Sequence, residues 1–177
     1  MPGRSPLLPR TAAEPTPVDS RPPVPPLDTL TAAALGRRYA LAEVLNYTRR
    51  FATAYCRAAL GASPDADRLA TEVSATVATG WPTAHAARRD FLEFLHSTAH
   101  RATRLARYET SRPRLPGELT DQQREILTLR VAVGLSPLET AVALGIRVLD
   151  VHRDSGRALT RLRRTAHRHT PECAVAC

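Results

Sequence analysis

The chain has 177 residues, enough for one medium domain or two small ones, and carries a formal net charge of +8 with a pI near 10.6. All 25 basic residues are Arg, Ala occurs 29 times and Asn46 is the sole asparagine; GC-rich codons produce such a bias, but the resulting charge still favours an anionic partner. No apolar run approaches the roughly 20 residues of a membrane span, no h-region marks a secretory signal, and Cys56, Cys173 and Cys177 are too few and too unevenly placed for a disulfide scaffold, so a cytoplasmic protein with no membrane association is expected.

Nine of the 15 prolines precede residue 27, and RPPVPP at Arg21 to Pro26 can neither propagate a helix nor join a central strand. Residues 1–37 are expected to be a disordered, Pro-rich arm, with docking to a proline-reading module as the alternative. From residue 38 to 108 the pattern is helical. Leu41, Val44, Leu45, Thr48, Ala52, Tyr55 and Ala59 recur at steps of three and four, and Gly61 closes that segment. Ser63-Pro64 restarts a helix, with the serine as N-cap and the proline where its missing N–H does least harm; Leu69, Val73 and Val77 form its stripe. A polar loop is expected after Gly80-Trp81-Pro82, then a third helix with Phe91, Phe94, Leu95, Thr98, Ala102, Leu105 and Ala106 on its buried side.

Residues 109–118, broken by Pro113, Pro116 and Gly117, read as a linker. A second helical unit spans 119–165. Thr120 and Gln123 have capping-box spacing, and Ile126, Leu127 and Val131 supply a core face up to Gly134. Ser136-Pro137-Leu138-Glu139 is a second capping box, Gly145 turns the chain, and Val148, Val151, Ala158, Leu159 and Leu162 line a final helix. Residues 166–177 read as a flexible tail. No strand pattern occurs. The predicted fold is all-α, in two small lobes.

Two short helices around a glycine turn form a helix-turn-helix. Pro137 starts the first helix, Ala141 is small where the second crosses, Gly145 accepts a positive φ, and Val151 plugs the angle. The outer side of the last helix carries Arg153, Arg157, Arg161 and Arg164, suited to phosphates and guanine edges in a major groove. A solvated arginine face is the competing reading, and the cap, turn and basic helix together outweigh it.

The stretch LTDQQREILTLRVAVGLSPLETAVALGI, from Leu119 to Ile146, followed by GRALTRLRR from Gly156, resembles region 4 of bacterial RNA polymerase sigma factors. DADRLATEV, at Asp65 to Val73, resembles the region 2 motif that grips the polymerase clamp, and FLEFLHSTAHRATR, from Phe91, resembles the helix facing the promoter's melted strand. Two helical lobes with no third domain between them look like the extracytoplasmic-function (ECF) class of the sigma-70 family.

The resemblance implies a sigma factor with core RNA polymerase and promoter DNA as partners, and leaves room for an anti-sigma factor. Leu69, Glu72 and Val73 would meet the polymerase. Arg101, Arg104 and Trp81 would lie towards the minus-ten element. Arg147, His152, Arg153, Arg157 and Arg161 would contact the minus-thirty-five element. Arg68, Asp154 and Gly156 depart from the family pattern. They keep in view a degenerate sigma-like protein that binds a partner without reading promoters; a stand-alone helix-turn-helix regulator is the other rival.

Trp81 and Tyr47 could stack on unpaired bases or fill the core of the first lobe. Glu93, His96 and His100 have a spacing that could place three ligands on a metal, as could His169, Cys173 and Cys177, but solvated histidines and a frayed terminus account for both sets. No metal or cofactor is expected. No phosphate loop, carboxylate pair or nucleophile–base arrangement is recognisable, so no enzymatic activity is expected either.

Overall fold

Three hydroxyl side chains start three of the helices. Ser63, Thr120 and Ser136 each accept, at 3.2 Å, the backbone N–H three residues on. At Thr120 and Ser136 the third residue reciprocates, the Gln123 and Glu139 side chains accepting the cap residue's own N–H at 3.2 and 2.6 Å. Both expected capping boxes therefore form. The computed structural model describes residues 23–109 and 119–169. Over those residues the protein is α1 (Leu27–Ala34), α2 (Arg38–Leu60), α3 (Pro64–Ala86), α4 (Phe91–Glu109), α5 (Asp121–Leu127), a π-helical turn (Thr128–Ala132), α6 (Pro137–Leu144) and α7 (Val148–His169), with no strand. Residues 1–22, most of the expected linker, and residues 170–177 with Cys173 and Cys177 lie outside the described residues, while 166–169, expected to begin a flexible tail, complete α7.

Helices α2, α3 and α4 form the expected bundle. Their inward faces bury Val44, Tyr47, Phe51, Tyr55, Val73, Val77, Trp81, Phe91 and Leu95. At Gly80 the bundle is so close that an added Cβ would stand 2.9 Å from the Phe94 ring, nearer than carbon atoms pack. The glycine was read as part of a helix end, and its use is this close approach instead.

Several expectations are corrected. The arm was taken to run to residue 37, but α1 occupies Leu27–Ala34 and buries Leu30 and Ala33 against the bundle. The element is short, with a single large buried side chain, so periodicity gives little sign of it. The loop expected after Gly80-Trp81-Pro82 is helix, α3 running on to Ala86. Pro82 removes one N–H donor and crowds the preceding turn, but Trp81 and Ala84, both buried, hold the last turns on the core. Val131 is exposed and Leu129 buried, because the chain opens into a π turn in which the Val133 N–H reaches back to Thr128 and the Leu135 N–H to Leu129. Leu105, Leu159 and Leu162 are also exposed, since burial stops at Thr103 on α4 and at Ala158 on α7.

Helices α5, α6 and α7 enclose a small core of Ile126, Ala141 and Val151, with Leu144, Ile146 and Val148 around it. The same segment also feeds the first lobe: Leu129, Leu135 and Ala143 belong to the hydrophobic core of the bundle. The two lobes therefore share buried apolar surface. Between α6 and α7, Gly145 has φ 64° and ψ 32°, the left-handed conformation that ends a helix at no cost only for glycine. Nothing lies within 4 Å of the position its Cβ would take. Gly145→Ala should therefore cost about 1–2 kcal/mol, through the backbone alone, and Gly145→Asn less; thermal midpoints of the two variants measure both.

Candidate nucleic-acid interface

The helix-turn-helix is built as its residue types suggest. Pro137 occupies the first turn of α6, Ala141 and Val151 are buried where α6 and α7 cross, and Gly145 makes the turn. This leaves the outer face of α7 to water. Arg147, at its threshold, and His152, Arg153, Arg157 and Arg161 on the helix are all exposed.

That face is not uniformly basic. Asp150 receives the Arg147 Nε at 2.9 Å and stands 3.1 Å from Arg153, so one carboxylate draws in two arginines. The Arg147 hydrogen bond holds the Asp150 carboxyl below the ordinary carboxylate range; partial desolvation opposes this, and the charges of Arg147 and Arg153 add to it. Asp154 lies 4.0 Å from Arg157 and accepts the Gln122 amide at 3.2 Å. Arg161 donates to Gln123 at 3.0 Å, tying α7 to the entrance of α5.

In the first lobe, Arg101 and Arg104 are exposed on α4. Trp81 is not offered to a base: its ring is buried and its indole N–H donates to the Leu30 carbonyl at 2.9 Å. Tyr47 is buried as well, so both aromatic groups take the core role that stood as the alternative. On α3, Glu72 is exposed and paired with Arg68 at 2.8 Å, Leu69 is half-buried, and Val73 is only 2% exposed. A partner at this face can touch Glu72 and the edge of Leu69. Val73 can only support them from beneath, because the heptad-like step from Leu69 turns it into the bundle.

A partly buried polar cluster lies between the lobes. The Glu125 carboxylate of α5 accepts His96 Nε2 at 2.7 Å and the Tyr55 hydroxyl, and His100 Nδ1 stands 3.5 Å from the same oxygen. The Tyr55 oxygen also meets His100 Nδ1, at 3.1 Å. Since the phenol hydrogen goes to Glu125, the imidazole is the donor to Tyr55. Burial pushes the Tyr55 hydroxyl well above its ordinary value and the adjacent carboxylate adds to that, so it remains a donor. Burial also pushes Glu125 upward, but its hydrogen bonds to His96 and Tyr55 and the nearby imidazoles prevail and hold it below the ordinary range. The histidines were read as solvated; His96 is buried and His100 half-buried, and Glu93, grouped with them by spacing, instead pairs with Arg89 at 3.0 Å. Glu125 itself carries no sequence signal, being one polar residue in an amphipathic turn whose partners lie 25 to 70 positions away.

The fold and this face define a two-lobed helical protein with a DNA-binding type of helix-turn-helix in its C-terminal lobe. No protein-family model matches the chain. It is 35% identical, over an alignment of 174 positions covering 77% of this chain and 82% of the relative, to the ECF RNA polymerase sigma factor SigD of Mycobacterium tuberculosis, and equally to that of Mycobacterium bovis. The chain belongs to the ECF RNA polymerase sigma factors, the resemblance first read from its region 2 and region 4 motifs. The solved structure of CnrH in complex with the cytosolic domain of CnrY shares the fold, with a TM-score of 0.61 and 22% identity over 81% of this chain and 97% of that one.

Two measurements probe the interlobe cluster. Tyr55→Phe deletes one donor to a partly buried carboxylate and should cost about 1–3 kcal/mol in denaturant unfolding. Because Glu125 is lowered in the folded state, its contribution is complete above its unfolded value, about 4.3, and is lost as pH falls through the lower folded value. Stability should therefore decline in that acid window, and Glu125→Gln should flatten the decline.

Proposed function

We propose that this protein binds core RNA polymerase through the exposed face of α3, with Leu69 and Glu72 at the contact and Val73 supporting them from beneath. It then directs initiation at promoters whose minus-thirty-five element is read by α7 and whose minus-ten element is met by α4. The observation that carries this reading is the outer face of α7, where an open row of His152, Arg153 and Arg157 follows a doubly capped, glycine-turned helix pair. In a major groove, Arg147 and His152, near the start of the helix, would approach base edges, and Arg157 and Arg161 the phosphates. Arg101 and Arg104 of α4 would serve the minus-ten side. The lobes at 38–108 and 119–165 act as the two reading heads, in the cytoplasm and without catalytic chemistry of their own. An anti-sigma factor is a further partner in this reading; it draws support from the neighbour CnrH, which was solved with the cytosolic domain of CnrY.

Distance adds a requirement. Elements 25 base pairs apart by name are separated by about 85 Å of duplex, whereas a compact chain of this length is about 40 Å across. Reading both at once needs the lobes to part, which exposes Leu129, Leu135 and Ala143 and breaks the Glu125 cluster. Polymerase must supply surfaces that repay this.

Incubation with purified core RNA polymerase, followed by run-off transcription from genomic fragments, tests the function. Co-elution and new promoter-specific transcripts are expected. Co-elution without transcripts would replace this reading with a partner-binding descendant, and a shift of free duplex DNA without polymerase binding would replace it with a stand-alone regulator. Arg157→Ala should weaken duplex binding and reduce the salt slope by about one unit; an unchanged slope removes Arg157 from the interface. Glu72→Arg, at an exposed site, should reduce polymerase binding several-fold while leaving helicity intact.

A further inference from the structure

Beyond the transcriptional role, we infer that His96, His100 and Glu125 form a binding site for a divalent transition-metal ion of the zinc type, bridging the two lobes. One ligand atom from each of the three side chains lies within 4.8 Å of the others. Two imidazole nitrogens and one carboxylate oxygen are a donor set that zinc accepts at about 2.0–2.2 Å, with a fourth position left to water. At those bond lengths a tetrahedral ion holds its ligand atoms about 3.4 Å apart. His100 Nδ1 and Glu125 Oε1 already stand at 3.5 Å, and His96 Nε2 and Glu125 Oε1, now hydrogen-bonded at 2.7 Å, need to open by less than an ångström.

The surroundings favour an ion over a lone salt bridge. His96 and His100 lie one turn apart on α4 with ring centroids 5.6 Å apart, so the helix fixes both ligands in one register. Tyr55 donates to the carboxylate and orients it, the role an outer-shell partner plays around a metal. To take the ion, each imidazole gives up the N–H now aimed at Glu125 or Tyr55; a shift of tautomer supplies the lone pair with no net oxidation or bond cleavage. Exposure of about two-fifths of the His100 side chain gives the ion a way in.

Two ligands come from α4 and the third from α5, so the ion is bound fully only while the lobes are packed together. It therefore acts as a latch on the closed arrangement, whatever the lobes do when apart.

The test uses the full chain with Cys173→Ser and Cys177→Ser, so that tail thiolates do not compete. The metal-free protein is titrated with Co²⁺, read by visible absorption, and with Zn²⁺ against a chelating indicator. One equivalent of either ion is expected to bind, with Zn²⁺ raising the thermal midpoint. His100→Gln and Glu125→Gln should each weaken binding at least tenfold, with helicity by circular dichroism unchanged, while Glu93→Gln has no effect. Absence of stoichiometric binding overturns the proposal. So does binding that survives Glu125→Gln, which would place the ion on one lobe only, or binding lost in Glu93→Gln.

Discussion

One carboxylate sets the arrangement of this protein. Glu125 is the point at which the C-terminal lobe meets α2 and α4, and its oxygen is shared by a tyrosine and a histidine that are both buried. A charge in such a place is costly unless every partner is present. The contact therefore discriminates: a lobe docked a turn out of register would leave Glu125 and His96 without partners and Tyr55 without its carboxylate acceptor. Leu129, Leu135 and Ala143 supply apolar area beside it that favours packing in general. The apolar patch provides adhesion, and the polar cluster selects one geometry.

What was legible in the sequence follows from how local each feature is. Capping boxes at Thr120 and Ser136, proline at the first turn of α3 and α6, and the glycine turn at Gly145 depend on residues within four positions, and each formed as read. The three-helix bundle was legible because its helices are long and their stripes regular. Features set by remote partners were not. Trp81 and Tyr47 are aromatic residues whose neighbours in space decide whether they stack on a base or fill a core, and the bundle, with the Leu30 carbonyl waiting for the indole N–H, decides for the core. The π turn at Thr128–Ala132 changed which of Leu129 and Val131 faces inward, and composition gives no notice of it.

The candidate interface divides in the same way. Its arginines were visible as a row on α7. That Asp150 takes both Arg147 and Arg153, and Asp154 both Gln122 and Arg157, is a property of the folded helix and its neighbour α5. The histidines of α4 were visible as a spaced pair, but their partner Glu125 lies on the other side of the linker.

On the proposed reading of α7, the acidic residues among its arginines bear on how the protein would search DNA. A chain of pI near 10.6 without a lysine has an electrostatic pull on every stretch of nucleic acid it meets. Arginines already engaged by Asp150 and Asp154 must exchange a partner on their own helix for a phosphate or a base. That exchange lowers the gain at an arbitrary sequence, while a groove offering bidentate base contacts compensates for it. On that reading the internal pairs would shorten residence on irrelevant DNA more than on a matching site, trading raw affinity for faster turnover during the search.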